Sequence, residues 1–99
     1  MIYIICYDIK YECVNDPKAA KRLNSVSRIL QNYGLRRQRS IFECILEKER
    51  LQALKQELQA VIDRKKDSIR IYPMCEKCLK LTIVQGAGEI IEIKEYEIA

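Results

Sequence analysis

The chain opens Met1-Ile2-Tyr3-Ile4-Ile5-Cys6-Tyr7-Asp8, and the fold turns on how these eight residues are read. Apolar side chains fill both alternating sets, Ile2, Ile4 and Cys6 on one and Tyr3, Ile5 and Tyr7 on the other. A strand apolar on both faces sits inside a sheet and is covered on both sides, since a solvated face would be polar at every second position. After it, residues 10–15 are mostly polar, and Asp16-Pro17 supplies an N-cap with proline at the first helical position. Leu23, Val26, Leu30 and Tyr33 then fall at helical spacing, which predicts an amphipathic helix stopped by Gly34 as its C′ residue.

Further along, Arg39 to Leu46 alternates Ser40, Phe42, Cys44 and Leu46 against Arg39, Ile41, Glu43 and Ile45, the pattern of a second strand. Leu51, Leu54, Leu58 and Val61 restore helical spacing in a second helix that ends at Arg64-Lys65-Lys66 and begins without a good capping residue. Ser68 to Tyr72 reads as a short strand closed by Pro73, and Leu79 to Val84 as another, ended by Gly86-Ala87-Gly88. Isoleucines 90, 91, 93 and 98, interleaved with glutamates, make a last strand. In this reading the fourth strand of the sheet comes from a hairpin around Cys75 to Cys78.

The order fits an α+β fold, a ferredoxin-like sandwich of the βαββαβ type with an appended C-terminal strand. One domain spans residues 1–99, with a core over 1–84 and the extra strand over 89–99. Two helices cover only one sheet face, so the other is expected to meet a second copy, a homodimer burying roughly 1,000 Å² or more. The 89–99 strand is expected to exchange onto the partner's sheet edge.

Ninety-nine residues, 48% hydrophobic and 32% charged, build one modest core and exclude a two-domain reading. No apolar run approaches the roughly 20 residues of a membrane-spanning helix. Residues 1–8 lack a basic leader and end in an acid, so the expectation is a chain that starts at Met1 without a signal peptide and stays in the cytoplasm. Five scattered cysteines do not form a secreted disulfide framework and fit a reducing compartment. Histidine is absent, which removes Ser/His and Cys/His catalysis and leaves carboxylates, metals and thiols.

The net charge is only +4, but it is unevenly spread. Lys18, Lys21, Arg22, Arg28, Arg36, Arg37 and Arg39 lie between Pro17 and Phe42 without one acid among them, whereas Glu89, Glu92, Glu95 and Glu97 oppose only Lys94 near the end. A basic side of this kind suits a polyanion; the plainer reading is a solvated helix face. Arg36, Arg37 and Arg39 enter the second strand, where alternation sends 37 and 39 to one face and 36 to the other, and such a cluster contacts phosphates without reading sequence. Phe42 and Tyr72 have the chemistry to stack on bases, although an aromatic residue on an alternating strand is more often core or interface. Cys75-Glu76-Lys77-Cys78 is half of a zinc site with no second half in the chain, and the hairpin reading puts it outside the helix N-terminal setting of redox dithiols. Accidental spacing is the plainer account.

Three segments in order resemble the CRISPR-associated protein two family, the small partner of an integrase subunit in spacer acquisition. Tyr7-Asp8 closes the first strand, Tyr33-Gly34-Leu35 leads to Gln38-Arg39-Ser40-Ile41-Phe42-Glu43, and Asp67-Ser68-Ile69-Arg70-Ile71-Tyr72-Pro73 forms a third match, so the likeness spans nearly the whole chain. The resemblance implies a ferredoxin-like homodimer, RNA or DNA as partner, a CRISPR integrase subunit as a second partner, and divalent-metal-dependent endonuclease activity with Mg²⁺ as the cofactor. It puts the catalytic, metal-binding acid at Asp8, with Tyr7 and Phe42 in support, and nucleic-acid contacts at Arg36 and, from the first helix, at Lys21 or Arg22, to which the cationic cluster itself adds Arg37 and Arg39. Without histidine, phosphodiester cleavage needs a metal that acidifies water, and two-fold symmetry is one way to bring two copies of Asp8 to one ion. The residue-level alternative is that Asp8 merely ends a strand, leaving a non-catalytic scaffold that holds duplex DNA between integrase subunits. Asp16, Asp63 and Asp67 read simply as cap and turn residues.

Overall fold

A computed structural model of the chain describes residues 1–86. Its elements are β1 (Ile2–Asp8), α1 (Pro17–Gln31), β2 (Leu35–Gln38), β3 (Ile41–Ile45), α2 (Lys48–Val61), β4 (Ser68–Met74) and α3 (Glu76–Lys80). The four strands form one antiparallel sheet in the order β2-β3-β1-β4, the split β-α-β connectivity. As its two-sided apolar pattern requires, β1 is interior and pairs with β3 and β4. The strand expected over 89–99, with its exchange, lies outside the described residues.

Both long helices pack on one sheet face. Ala19, Val26 and Leu30 of α1 and Leu54 and Leu58 of α2 close over Ile5, Tyr7, Phe42 and Cys44. Phe42, Ile5, Leu30 and Leu54 are wholly buried, each contributing about 1.5–3 kcal/mol of apolar transfer. Asp16 caps α1 as the sequence indicates, its carboxylate accepting from the Ala19 amide at 3.1 Å. The second helix starts at Glu47 with no side-chain cap, also as read.

Four expectations are corrected. The strand over 39–46 is present as β3, but it is one arm of a hairpin: β2 joins it through the tight turn at Arg39-Ser40 and supplies the fourth strand in place of the hairpin expected around Cys75 to Cys78. Residues 35–38 escape the pattern because they form a short, charged edge strand, where alternation is not enforced by burial. The stretch from Leu79 is not a strand: Glu76–Lys80 makes a helical turn, steadied by the Lys80–Glu76 ion pair at 3.3 Å and anchored by buried Leu79. Pro73 does not close β4, which runs through it to Met74; among the described residues β4 is an edge strand, so a proline without an N–H costs no ladder bond on the outer side.

Gly34 does not end the helix by a left-handed backbone, since α1 stops at Asn32 and the only positive φ belongs to Gly86 among the described residues. Gly34 serves close approach instead. A Cβ there would overlap the Glu43 carbonyl oxygen and stand 2.5 Å from Cys44 Sγ.

Candidate functional site

The C-terminal end of β1, the middle of α1 and the turn between β2 and β3 enclose a cleft of about 430 Å³. Tyr7, Asp8, Asn24, Ser27, Arg36 and Arg39 supply its polar lining. Asp8 is exposed at the strand end, and its carboxylate has no hydrogen bond or ion pair among the described residues.

The arginines reach this cleft through a register shift. Arg36 opposes Phe42 and Gln38 opposes Ile41, so Arg37 is an extra residue on β2, a bulge. The bulge breaks strict alternation. Arg37 turns to the open sheet face and pairs with Glu43 at 3.3 Å, while Arg36 and Arg39 both line the cleft. The expected partition, 37 with 39 and 36 apart, is therefore replaced by 36 with 39.

Buried residues hold the two cleft arginines. The Arg36 guanidinium lies over the Phe42 ring at 5.3 Å from its centroid and donates to Ser27 Oγ. Phe42 is tilted 32° against Tyr7, with centroids 6.2 Å apart. Tyr7 in turn donates its hydroxyl to the Arg39 carbonyl at 2.8 Å and its amide to the Ser40 carbonyl at 3.1 Å, tying the turn to β1 beside Asp8. Tyr7 and Phe42 thus act as a frame: Phe42 has no exposed surface on which to stack a base, and Tyr72, 45% exposed, lies on the edge strand β4.

Arg22 is not brought into this cleft. Its Nε donates to the Asp67 carboxylate at 2.8 Å and its Nη2 to the Lys10 carbonyl at 3.0 Å. The Asp67 side chain has no exposed surface and also accepts from the amides of Asp63 at 2.8 Å and Lys10 at 3.1 Å. Burial pushes the Asp67 carboxyl up, but those amides and the guanidinium outweigh it and hold the group below the ordinary carboxylate value. Asp67 is more than a turn residue. It fastens the segment after β1 to α1 and to the end of the α2–β4 loop, a role that Asp67 within Asp-Ser-Ile does not reveal in sequence.

One chain offers a cation little. Among the described residues no group of three or more His, Cys, Asp or Glu side chains converges to hold a metal. The hard, unengaged oxygens of Asp8 suit Mg²⁺, which keeps most of its waters and takes few protein ligands. The open sheet face carries half-buried Ile4, Cys6, Ile41 and Ile45 with exposed Leu35 and Tyr72. No described helix is long and apolar enough to cross a membrane.

Residues 1–81 match the family model described as CRISPR associated protein Cas2. A protein named CRISPR-associated endonuclease Cas2 from Halalkalibacterium halodurans is 44% identical over 72 residues, covering 73% of this chain and 72% of that one. One named CRISPR-associated endoribonuclease Cas2 1 from Moorella thermoacetica is 36% identical over 92 residues and covers 93% of each chain. The crystal structure of Cas2 from Streptococcus pyogenes superposes with a TM-score of 0.75 at 32% identity, over 87% of this chain and 100% of the other.

Proposed function

Because the chain belongs to the CRISPR-associated protein Cas2 family, we propose that it is a homodimeric nucleic-acid-binding protein of CRISPR adaptation that cleaves RNA or DNA phosphodiesters with Mg²⁺. The observation that carries this reading is the cleft in which an unengaged carboxylate, Asp8, faces two framed arginines, Arg36 and Arg39. Guanidinium groups held in place by Phe42 and by the Tyr7 hydrogen bond present donors to phosphate oxygens with little ordering left to do on binding. Asp8 is the residue that would hold the cation, with a second Asp8 from the partner completing a symmetric site. Bound there, Mg²⁺ would acidify a water and offset charge on the phosphate. Arg22 acts as a positioning residue, fixing Lys10 two residues beyond Asp8. Arg37 carries positive charge on the opposite sheet face, beside Glu43.

The half-apolar open sheet face, with Ile4, Ile41, Ile45 and Tyr72, is the surface on which a second copy would sit. An integrase subunit is the further partner. The alternative, a scaffold that holds duplex DNA between integrase subunits without cutting it, is favoured by the lack of a multi-ligand cluster among the described residues of one chain.

Cleavage of labelled single- and double-stranded RNA and DNA, with and without Mg²⁺, separates the two. Asp8→Asn should lower cleavage by at least about a hundredfold and leave binding within about twofold. Equal cleavage by both proteins would mean that Asp8 does not carry it and that a contaminating nuclease is at work, and salt-sensitive binding with no cleavage by either would favour the scaffold.

A further inference from the structure

The Cys75 and Cys78 thiols have no part in the cleft. Ser68 pairs with Asp8 and Met74 with Ile2, so the pair lies off the other end of the sheet, about 20 Å along the strands. Their setting differs from the sequence reading: Cys75 follows β4 directly and caps α3, and Cys78 lies in that first turn. Both side chains are exposed, and their Sγ atoms stand 3.1 Å apart, about 1 Å from bonding distance.

The other three cysteines supply contrasts within the same chain. Cys44 is wholly buried, and burial pushes its thiol up to about 11. Cys6 is half-buried on the open sheet face, and Cys13 is exposed, its thiol donating to the Asn15 carbonyl at 3.2 Å. Only Cys75 and Cys78 pair an accessible thiol with a second thiol in contact.

We propose that Cys75 and Cys78 form a thiol–disulfide exchange site whose substrates are low-molecular-weight disulfides. Cys75 is the attacking thiol. Its sulfur accepts from the Cys78 amide at 3.3 Å and lies against the Cys78 thiol, which donates to it once Cys75 is a thiolate; these contacts hold Cys75 below the ordinary thiol value, while the same thiol contact raises Cys78. The Cys75 thiolate attacks one sulfur of the small disulfide, breaking its S–S bond and releasing one thiol. Cys78, losing its proton to solvent, then attacks Cys75 Sγ in the mixed disulfide and releases the second thiol. The two cysteines lose two electrons and two protons, and the small disulfide becomes two thiols. A two-thiolate zinc site is disfavoured because no third ligand converges there among the described residues.

The test uses the full chain, reduced and then exposed to oxidised glutathione, with alkylation, peptide mapping and zinc analysis. In the wild type the peptide holding both cysteines should lose about 2 Da without retaining glutathione, and Cys75 should react about tenfold faster than Cys13. Cys78→Ser should trap glutathione on Cys75. Cys75→Ser should slow adduct formation on Cys78, and both surface variants should bind nucleic acid as the wild type does. The proposal is overturned if glutathione stays on Cys75 in the wild type, if Cys75 reacts no faster than Cys13, or if stoichiometric zinc protects both thiols. None of these results depends on cleavage at Asp8.

Discussion

Arg22 and Arg36 are the same side chain about seven residues either side of the middle of one basic stretch, yet the fold treats them in opposite ways. Arg22 meets a carboxylate with no exposed surface, together with the Lys10 carbonyl. Arg36 lies over the Phe42 ring in a cleft it shares with Arg39 and Asp8. The difference teaches that a cation becomes structural when a buried acid lies within reach, because leaving that acid unpaired costs more than any solvated contact returns. Where the neighbour is an aromatic face, the guanidinium keeps donors for a phosphate.

The strongest way to break the comparison is Arg22→Ala. It strands a buried carboxylate and should cost about 3 kcal/mol in chemical denaturation, although Arg22 is partly exposed itself. A loss under about 1 kcal/mol would mean that the Asp63 and Lys10 amides suffice for Asp67. The acid limb sharpens the point. Asp67 titrates below its ordinary value of 3.8 in the folded chain, so its contribution is complete above 3.8 and is lost as pH falls through the lower folded value. Without the guanidinium, the acid-induced loss of stability should begin at higher pH.

Gly34→Ala should cost about 2 kcal/mol, because the added Cβ must push against the β3 backbone at Glu43 as well as against Cys44 Sγ. Melting with Gly34→Ser as a second variant checks this, and no loss in either would show that the loop relaxes freely. Smaller still is Tyr7→Phe, which removes the 2.8 Å hydrogen bond to the Arg39 carbonyl and should cost about 1 kcal/mol. If that bond orders the turn bearing Arg39, nucleic-acid binding should weaken by about twofold to fivefold at the same time.

The parts of the fold that were legible are those where burial or capping constrains residue type. β1 shows its interior position through apolar residues on both faces, and α1 shows its start through Asp16-Pro17. The β2–β3 hairpin stayed hidden because Arg39-Ser40 has no Gly or Asn to mark a tight turn and Arg36-Arg37-Gln38 faces mainly solvent. Leu79 to Val84 looked extended because it is apolar and partly β-branched, while a local cap at Cys75 and one buried leucine were enough to wind Glu76–Lys80. At the cleft, the cationic stretch announced itself by the absence of acids. Which arginines share a face did not, because a single bulged residue at Arg37 reverses the alternation. Nor did the claim of Asp67 on Arg22, a contact between residues 45 apart.

The central claim is that Arg36 and Arg39 meet phosphates and Arg22 does not, and the salt dependence of duplex binding tests it most directly. Affinity would be measured against salt concentration for the wild type, Arg22→Ala and the Arg36→Ala/Arg39→Ala pair, at a temperature where all three are folded. Each lost phosphate contact should flatten the log–log slope by about one, so the pair should lose about two and Arg22→Ala none. An unchanged slope in the pair, with a flattened one in Arg22→Ala, would contradict the account.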